Sequence, residues 1–174
     1  VLFRMSEEGV PDIPEFLLTK MKPGQTLGFD GRTISCKEGK SLKEKLKDLD
    51  IHFYYKEDLA EELWKERPLL PHNKILILPD EISGQSTKEK LRTVRKKVAE
   101  AGASYLMLSK LDDLMWLMNI RGSDVECNPV ALSYGFLTAD NFYFFVQKEE
   151  VSEELINYAQ ENNITIKDYH SIIN

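Results

Sequence analysis

Two cysteines, three histidines and no long apolar run set the first limits on this 174-residue chain. Cys36 and Cys127 are too few and too far apart for a metal knuckle or a disulfide framework. Reduced thiols are expected, with a Cys36–Cys127 bridge as the lesser alternative. His52, His72 and His170 never stand at helical spacing from one another, and neither H-E-x-x-H nor C-x-x-C occurs. No metal site is therefore expected within these residues. A G-x-S-x-G elbow is absent, and the glycines are scattered, with none in a G-x-x-x-x-G-K phosphate loop. No apolar stretch approaches the roughly 20 residues that cross a bilayer, and no signal-peptide pattern is visible. Basic charge is also in deficit. Lys and Arg number 23 against 29 Asp and Glu, a net −6, so the electrostatic footprint of a nucleic-acid binder is missing. Neither nucleic acid nor membrane is expected among the partners.

What is present suits a soluble α/β protein. Hydrophobic residues make up 42%, enough for a core, and charged residues 30%. The length fits one domain, or one domain with a remnant of a neighbour. The run 1–5 reads as an apolar strand, 6–11 as a turn-rich linker and 13–21 as a short helix. After Lys22-Pro23-Gly24, helical and strand periods alternate. A helix between about Ser35 and Leu49 has two candidate starts, Ser35 with Glu38 or Ser41 with Glu44. Strand 51–55 is followed by a helix carrying Leu59, Leu63 and Trp64. The prolines force 67–71 to be extended, and 74–78 is a strand. Ser86-Thr87-Lys88-Glu89 is the clearest capping box, opening a helix with Leu91, Val94 and Val98 inward and Gly102 at its end. Lys88, Lys90, Arg92, Arg95, Lys96 and Lys97 are assigned to its solvated side. Strand 105–108 comes next. Strands 130–138 and 142–146 form a hairpin across Ala139-Asp140-Asn141, then come a helix capped by Ser152 and a last strand, 164–166. Strands separated by helices predict a three-layer α/β/α fold with a mixed, mainly parallel sheet plus the hairpin. Trp64 and Trp116 are assigned to the core.

The densest stretch runs from Ser109 to Tyr134. Ser109 is placed to cap a short helix whose Leu111, Leu114, Met115 and Met118 share a face. Gly122 then allows a left-handed turn, and Pro129 drives Asn128 toward an extended conformation. Arg121, Asp124 and Asn128 are thereby held together on one polar loop. Spacing alone names no ligand for it.

The string SKLDDLMWLMNIRGSDVECNPV, followed by Ser133-Tyr134, resembles the S-x-L-D-[DE]-x-x-W-L-x-N-[IL]-R-G-S-D-[IV]-x-x-N-P-V signature of the long, three-domain Xaa-Pro aminopeptidases. Weaker similarity includes Leu63-Trp64, Arg67-Pro68, Pro71 and 169–173. The resemblance implies a non-catalytic domain of the creatinase/prolidase N-terminal type, ribonuclease H-like in fold. It implies that residues 1–22 are a remnant of a preceding domain with a linker helix, and that 23–174 are the α/β domain. The metallopeptidase domain would lie beyond Asn174, with two Mn2+ ions held there and no cofactor here. Its implied partners are proline-containing peptides, its own catalytic domain and a second copy in a homodimer, in the cytoplasm. Arg121, Asp124 and Asn128 become candidates for a substrate-gating or interdomain loop, bracing of the loop being the alternative role for Arg121 and Asp124. A nuclease reading would use Asp30, Asp112, Asp113 and Asp124. Ordinary roles explain these better: a turn, a helix first turn, and for Asp124 a neighbouring Arg121. The rival from another class is a free-standing α/β module binding a small molecule or protein.

Overall fold

The computed structural model describes residues 2–4 and 6–173. Their contacts group into two compact units, Val1–Pro68 and Leu69–Asn174.

In the first unit, of the expected strand 1–5, Val1 and Met5 lie outside the described residues, and 2–4 have no regular structure. Helix α1 (Ile13–Lys20) opens on a reciprocal box in which Asp12 accepts from the Glu15 N–H and Glu15 accepts from that of Asp12. Strand β1 (Thr26–Gly28) pairs in parallel with β2 (His52–Tyr54), Leu27 opposite Phe53. Between them runs α2 (Cys36–Lys45), and Ser35, not Ser41, is its cap. The earlier start carries Leu42 and Leu46, one turn apart, onto the buried side. The expected helix around Leu59 to Trp64 is absent; those residues form successive turns. Asp58 starts them by accepting from the Ala60 N–H, while its other oxygen takes Arg67 and Arg32. Leu63 and Trp64 are exposed, so a helix here would have had no apolar face to bury.

The second unit contains β3 (Leu76–Ile77), α3 (Asp80–Ser83), α4 (Thr87–Glu100), β4 (Leu106–Leu108), α5 (Leu111–Leu117), β5 (Ile120–Arg121), β6 (Tyr134–Leu137), β7 (Phe142–Val146), α6 (Glu153–Glu161) and β8 (Ile164–Asp168). Short 3-10 helices follow β7 at Lys148–Glu150 and β8 at Tyr169–Ile173. The main sheet has the order β4-β6-β7-β8, and β3 pairs with β5 apart from it. The α/β class with mixed sheets is as expected, but the balance is not mainly parallel. Among the described residues only β1–β2 and β7–β8 pair in parallel, against antiparallel β3–β5, β4–β6 and β6–β7. The tight turn that sends β6 back as β7 dictates an antiparallel pair, and β5 leaves to join β3 rather than giving β4 a parallel neighbour.

That hairpin is closed as expected: the Thr138 N–H donates to the Asn141 carbonyl at 2.9 Å, and Asn141 N–H to Thr138 Oγ1 at 3.0 Å. β6 begins at Tyr134 rather than Val130, because the backbone from Pro129 to Leu132 bonds to Gly122 and Asp124 instead of to the sheet. Along β7, Phe142, Phe144 and Val146 point into the core against Leu114, Leu137 and Leu155, each large side chain contributing about 1.5–3 kcal/mol by burial.

Helix α4 begins with the Ser86–Glu89 box as expected, and Leu91 is buried with Val94 and Val98 packed beside it. Its basic residues are not all on a solvated side. Lys90 is 3% exposed, and the Arg95 guanidinium is half-buried with Nε donating to the Thr138 carbonyl. Both tryptophans are corrected in the opposite sense: Trp64 and Trp116 are 53% and 52% exposed.

Candidate functional site

The loop leading from α5 into β6 is built from the end of a buried helix. Leu114, Met115, Leu117 and Met118 lock α5 in the core, with Leu111 packed beside them. Lys110, not Ser109, occupies the N-cap position, and no side chain caps it. The chain leaves the helix through Asn119 at φ 50°, a left-handed conformation that asparagine tolerates better than most residues. Gly122, where that turn was expected, does not have positive φ. It serves close approach instead: a Cβ there would lie 2.6 Å from the Ala131 nitrogen and 2.7 Å from the Val130 carbonyl. A second left-handed residue is Cys127, at φ 59°.

The helix end is plugged by polar side chains from neighbouring elements. Lys90 Nζ donates to the Trp116 carbonyl at 2.9 Å and to Asn119 Oδ1, with the Trp116 ring centroid 4.7 Å away. A cation at the negative end of α5 is favourable, and the indole face adds to it. Asn119 Nδ2 donates onward to the Gln85 carbonyl at 2.8 Å. Tyr158 donates to the Met118 carbonyl at 2.9 Å, and its hydroxyl pairs with that of Thr87. Burial holds Lys90 below the usual lysine range, Arg121 adds repulsion, and Asp80 acts against both.

The three sequence-predicted residues lie on this loop but do not converge. Arg121 Nη1 donates to the Ile120 carbonyl at 2.7 Å and the Met115 carbonyl at 3.3 Å. Asp124 accepts at Oδ1 from the Asn73 N–H (3.0 Å) and Nδ2 (3.1 Å), and at Oδ2 from the Leu132 N–H at 2.8 Å. Arg121 and Asp124 form no ion pair among the described residues. Asn128 shapes the loop through its backbone, donating to Val125 and accepting from Val130. Its half-buried side chain makes no hydrogen bond among the described residues.

Behind Asp124 sits a residue that sequence reasoning missed. Glu150 is 2% exposed, and its Oε2 has no hydrogen-bond partner among the described residues. Its Oε1 is 3.3 Å from Gln147 Nε2, which also donates to the Pro71 carbonyl. Burial, then repulsion from Asp124, pushes the Glu150 carboxyl up to about 8. Burial and a hydrogen bond with Tyr134 likewise raise Tyr169 to about 12. Nothing in Lys148-Glu149-Glu150 marks the last residue as buried; a pair of glutamates ordinarily reads as surface.

The acidic residues that a nuclease-like metal site would use are engaged or dispersed instead. Among the described residues no group of three or more His, Cys, Asp and Glu is placed to hold an ion. Asp30 is paired with Arg32 at 2.8 Å, Asp112 and Asp113 are exposed in the first turn of α5, and the Asp124 oxygens are taken by N–H donors. Cys36 and Cys127 are exposed free thiols. What the arrangement can do is hold a polar loop rigidly at the end of a buried helix.

The Creatinase/Prolidase N-terminal domain family matches residues 66–174. The chain belongs to that family. A probable Xaa-Pro aminopeptidase P of Pyricularia oryzae is 34% identical to it over 98% of this chain, and aminopeptidase P2 of Arabidopsis thaliana 31% over 99%. The chain spans only 28% and 25% of those two relatives. Among solved structures, X-prolyl aminopeptidase from Caenorhabditis elegans, described as a cytosolic enzyme with a di-nuclear active site, superposes with a TM-score of 0.83. That match has 27% identity and covers 98% of this chain and 28% of the nematode chain.

Proposed function

We propose that this chain is a non-catalytic domain of an Xaa-Pro aminopeptidase, flanking the cleft in which a dinuclear-metal domain removes the residue before proline. One observation carries the reading: 98% of this chain matches 28% of an X-prolyl aminopeptidase described as having a di-nuclear active site, yet its described residues offer no metal-binding group. The bond before proline is a tertiary amide with no N–H, and the ring restricts the chain on both sides. An enzyme cutting it needs walls that fix the peptide's path, and a rigid polar loop is suited to that work. In this reading Arg121, Asp124 and Asn128 belong to a loop facing the cleft or the catalytic domain. Arg121 and Asp124 are held by the fold, and the Asn128 amide is free to make a contact. Two metal ions, manganese in this reading, would be held by residues outside this chain and would supply an activated water there. The parent works in the cytoplasm on proline-containing peptides and pairs with a second copy.

The test compares this chain with a longer protein that contains it, on an Xaa-Pro-Pro peptide with added manganese. The longer protein should release the first residue and the isolated chain should not. Turnover by the isolated chain after removal of contaminating peptidases, or none by the longer protein, overturns the reading. A free-standing binding module remains the second reading. It rests on an open groove of about 640 Å3 on the main sheet, lined by Met107, Phe136, Tyr143, Phe145 and Lys167.

A further inference from the structure

Glu150 lies near two clamps on the segment 71–73, one that holds it to the loop and one that holds it to Glu150's own turn. One clamp is Asp124, whose carboxylate takes the Asn73 N–H and side-chain amide on one oxygen and the Leu132 N–H on the other. The other is Gln147, whose amide donates to the Pro71 carbonyl and to Glu150. The groups acting on the Glu150 carboxyl are Asp124 from the loop and Gln147 and Glu149 from its own turn, and it acts in turn on Tyr169 from the last turn of the chain. Tyr169 packs against Tyr134 of β6 with ring centroids 5.3 Å apart. None of these groups is cationic, and Glu150 forms no salt bridge among the described residues. A neutral carboxyl is tolerated at such a place. An ionised one would sit desolvated beside a second carboxylate, with one oxygen already lacking a partner.

We propose that Glu150 is a proton-operated latch on the loop 121–128, tolerated in its buried place near Asp124 while protonated and loosening the loop when the proton passes to solvent. The cheapest escape for an ionised Glu150 is to separate from Asp124 and admit water. That movement takes the Asp124 carboxylate away from Asn73 and Leu132, so segment 71–73 and the loop loosen together. The middle of β7 at Phe144, whose strand pairing involves neither Glu150 nor Tyr169, stays closed. The latch is a property of this chain and does not depend on what the loop contacts, so it can fail without the proposed function failing.

The experiment is amide exchange by NMR on the 174-residue chain between pH 6.5 and 9, each rate corrected for its intrinsic pH dependence. Protection at Asn73 and Leu132 should fall tenfold or more across that range, while Phe144 in β7 keeps its protection. In Glu150→Gln the two loop amides should stay protected throughout. The carboxyl carbon of Glu150, followed by 13C shift, should titrate with the same midpoint as the loss of protection. This last measurement needs only the wild-type chain and decides the matter if Glu150→Gln does not fold. A flat wild-type profile, an equal loss in the variant, a parallel loss at Phe144, or titration of Glu150 in the ordinary carboxylate range each overturns the latch.

Discussion

Replacing Lys90 by Met tests the claim that a buried ammonium fastens the end of α5. Met fills a similar volume but offers no donor, so the Trp116 carbonyl and Asn119 Oδ1 are left in a closed site. An orphaned buried acceptor costs about 1–3 kcal/mol, and hydrogen bonds to a charged group are worth about 1.5–3 kcal/mol each. Loss of the cation at the helix end adds up to about 2 kcal/mol in partly buried geometry. Against this, the variant no longer desolvates an ammonium and orders a less demanding side chain, which returns several kcal/mol. The net expectation is a loss of about 2–4 kcal/mol. Because the chain has two units, the probe must report on the second alone. Trp116 fluorescence in a Trp64→Phe background does so, and its ring adjoins Lys90. Urea unfolding should show a lower midpoint with unchanged slope. Lys88→Met, on the exposed side of the same helix, should stay within about 0.5 kcal/mol. If Lys90→Met proves as mild as Lys88→Met, the reasoning is refuted. The wild type adds a pH signature. Lys90 is held below the lysine value of 10.5, so the unfolded chain binds the extra proton over the interval just below 10.5. Stability contributed by this group should therefore rise as pH climbs toward 10.5, and Lys90→Met should lack that rise.

Glu150, with its folded value near 8 against 4.5, has the opposite sign: its contribution is fully present below about 4.5 and is lost as pH rises through about 8. At pH 9, Glu150→Gln should be more stable than wild type by about 2–3 kcal/mol, the 1.36 kcal/mol per unit being discounted for local relaxation. At pH 4 the gain should vanish, and chemical denaturation at both values checks it. Gly122→Ala should destabilise by about 1–3 kcal/mol, since the new methyl meets backbone rather than a side chain that can turn away; a neutral result in thermal unfolding would show that the two segments part easily. Asp124→Ala should cost about 1–3 kcal/mol, chiefly by orphaning the part-buried Leu132 N–H, since the exposed Asn73 N–H can turn to water. Asn128→Ala, with no side-chain bond to lose, should leave stability within about 0.5 kcal/mol. In a longer parent enzyme it should lower kcat/KM about tenfold, close to 1.4 kcal/mol of transition-state binding, if the loop meets the peptide.

Much of the second unit was legible because its signals are local. Ser86 and Glu89 satisfy each other's backbone within one turn, the Thr138–Asn141 connection closes a hairpin over four residues, and Leu114, Met115 and Met118 repeat at helical spacing. Local pattern also left Ser35 and Ser41 as rival caps, and burial of Leu42 with Leu46 decided between them. The loop was found from its composition, but the partners of Arg121 and Asp124 were not, because they come from Met115, Asn73 and Leu132 rather than from each other. Lys90 and Glu150 carry the charge of surface residues, and nothing within a turn of either distinguishes them from Lys88 or Glu149. Their burial follows from where α5 ends and where the Asp124 loop packs, contacts that bring together residues tens of positions apart in the chain. Elements such as the start of α4 and the β6–β7 turn, whose hydrogen bonds close within a few residues, could be read along the chain. Which polar side chains lose their water is settled by packing across the fold, since desolvation depends on everything around a group rather than on its neighbours in the chain.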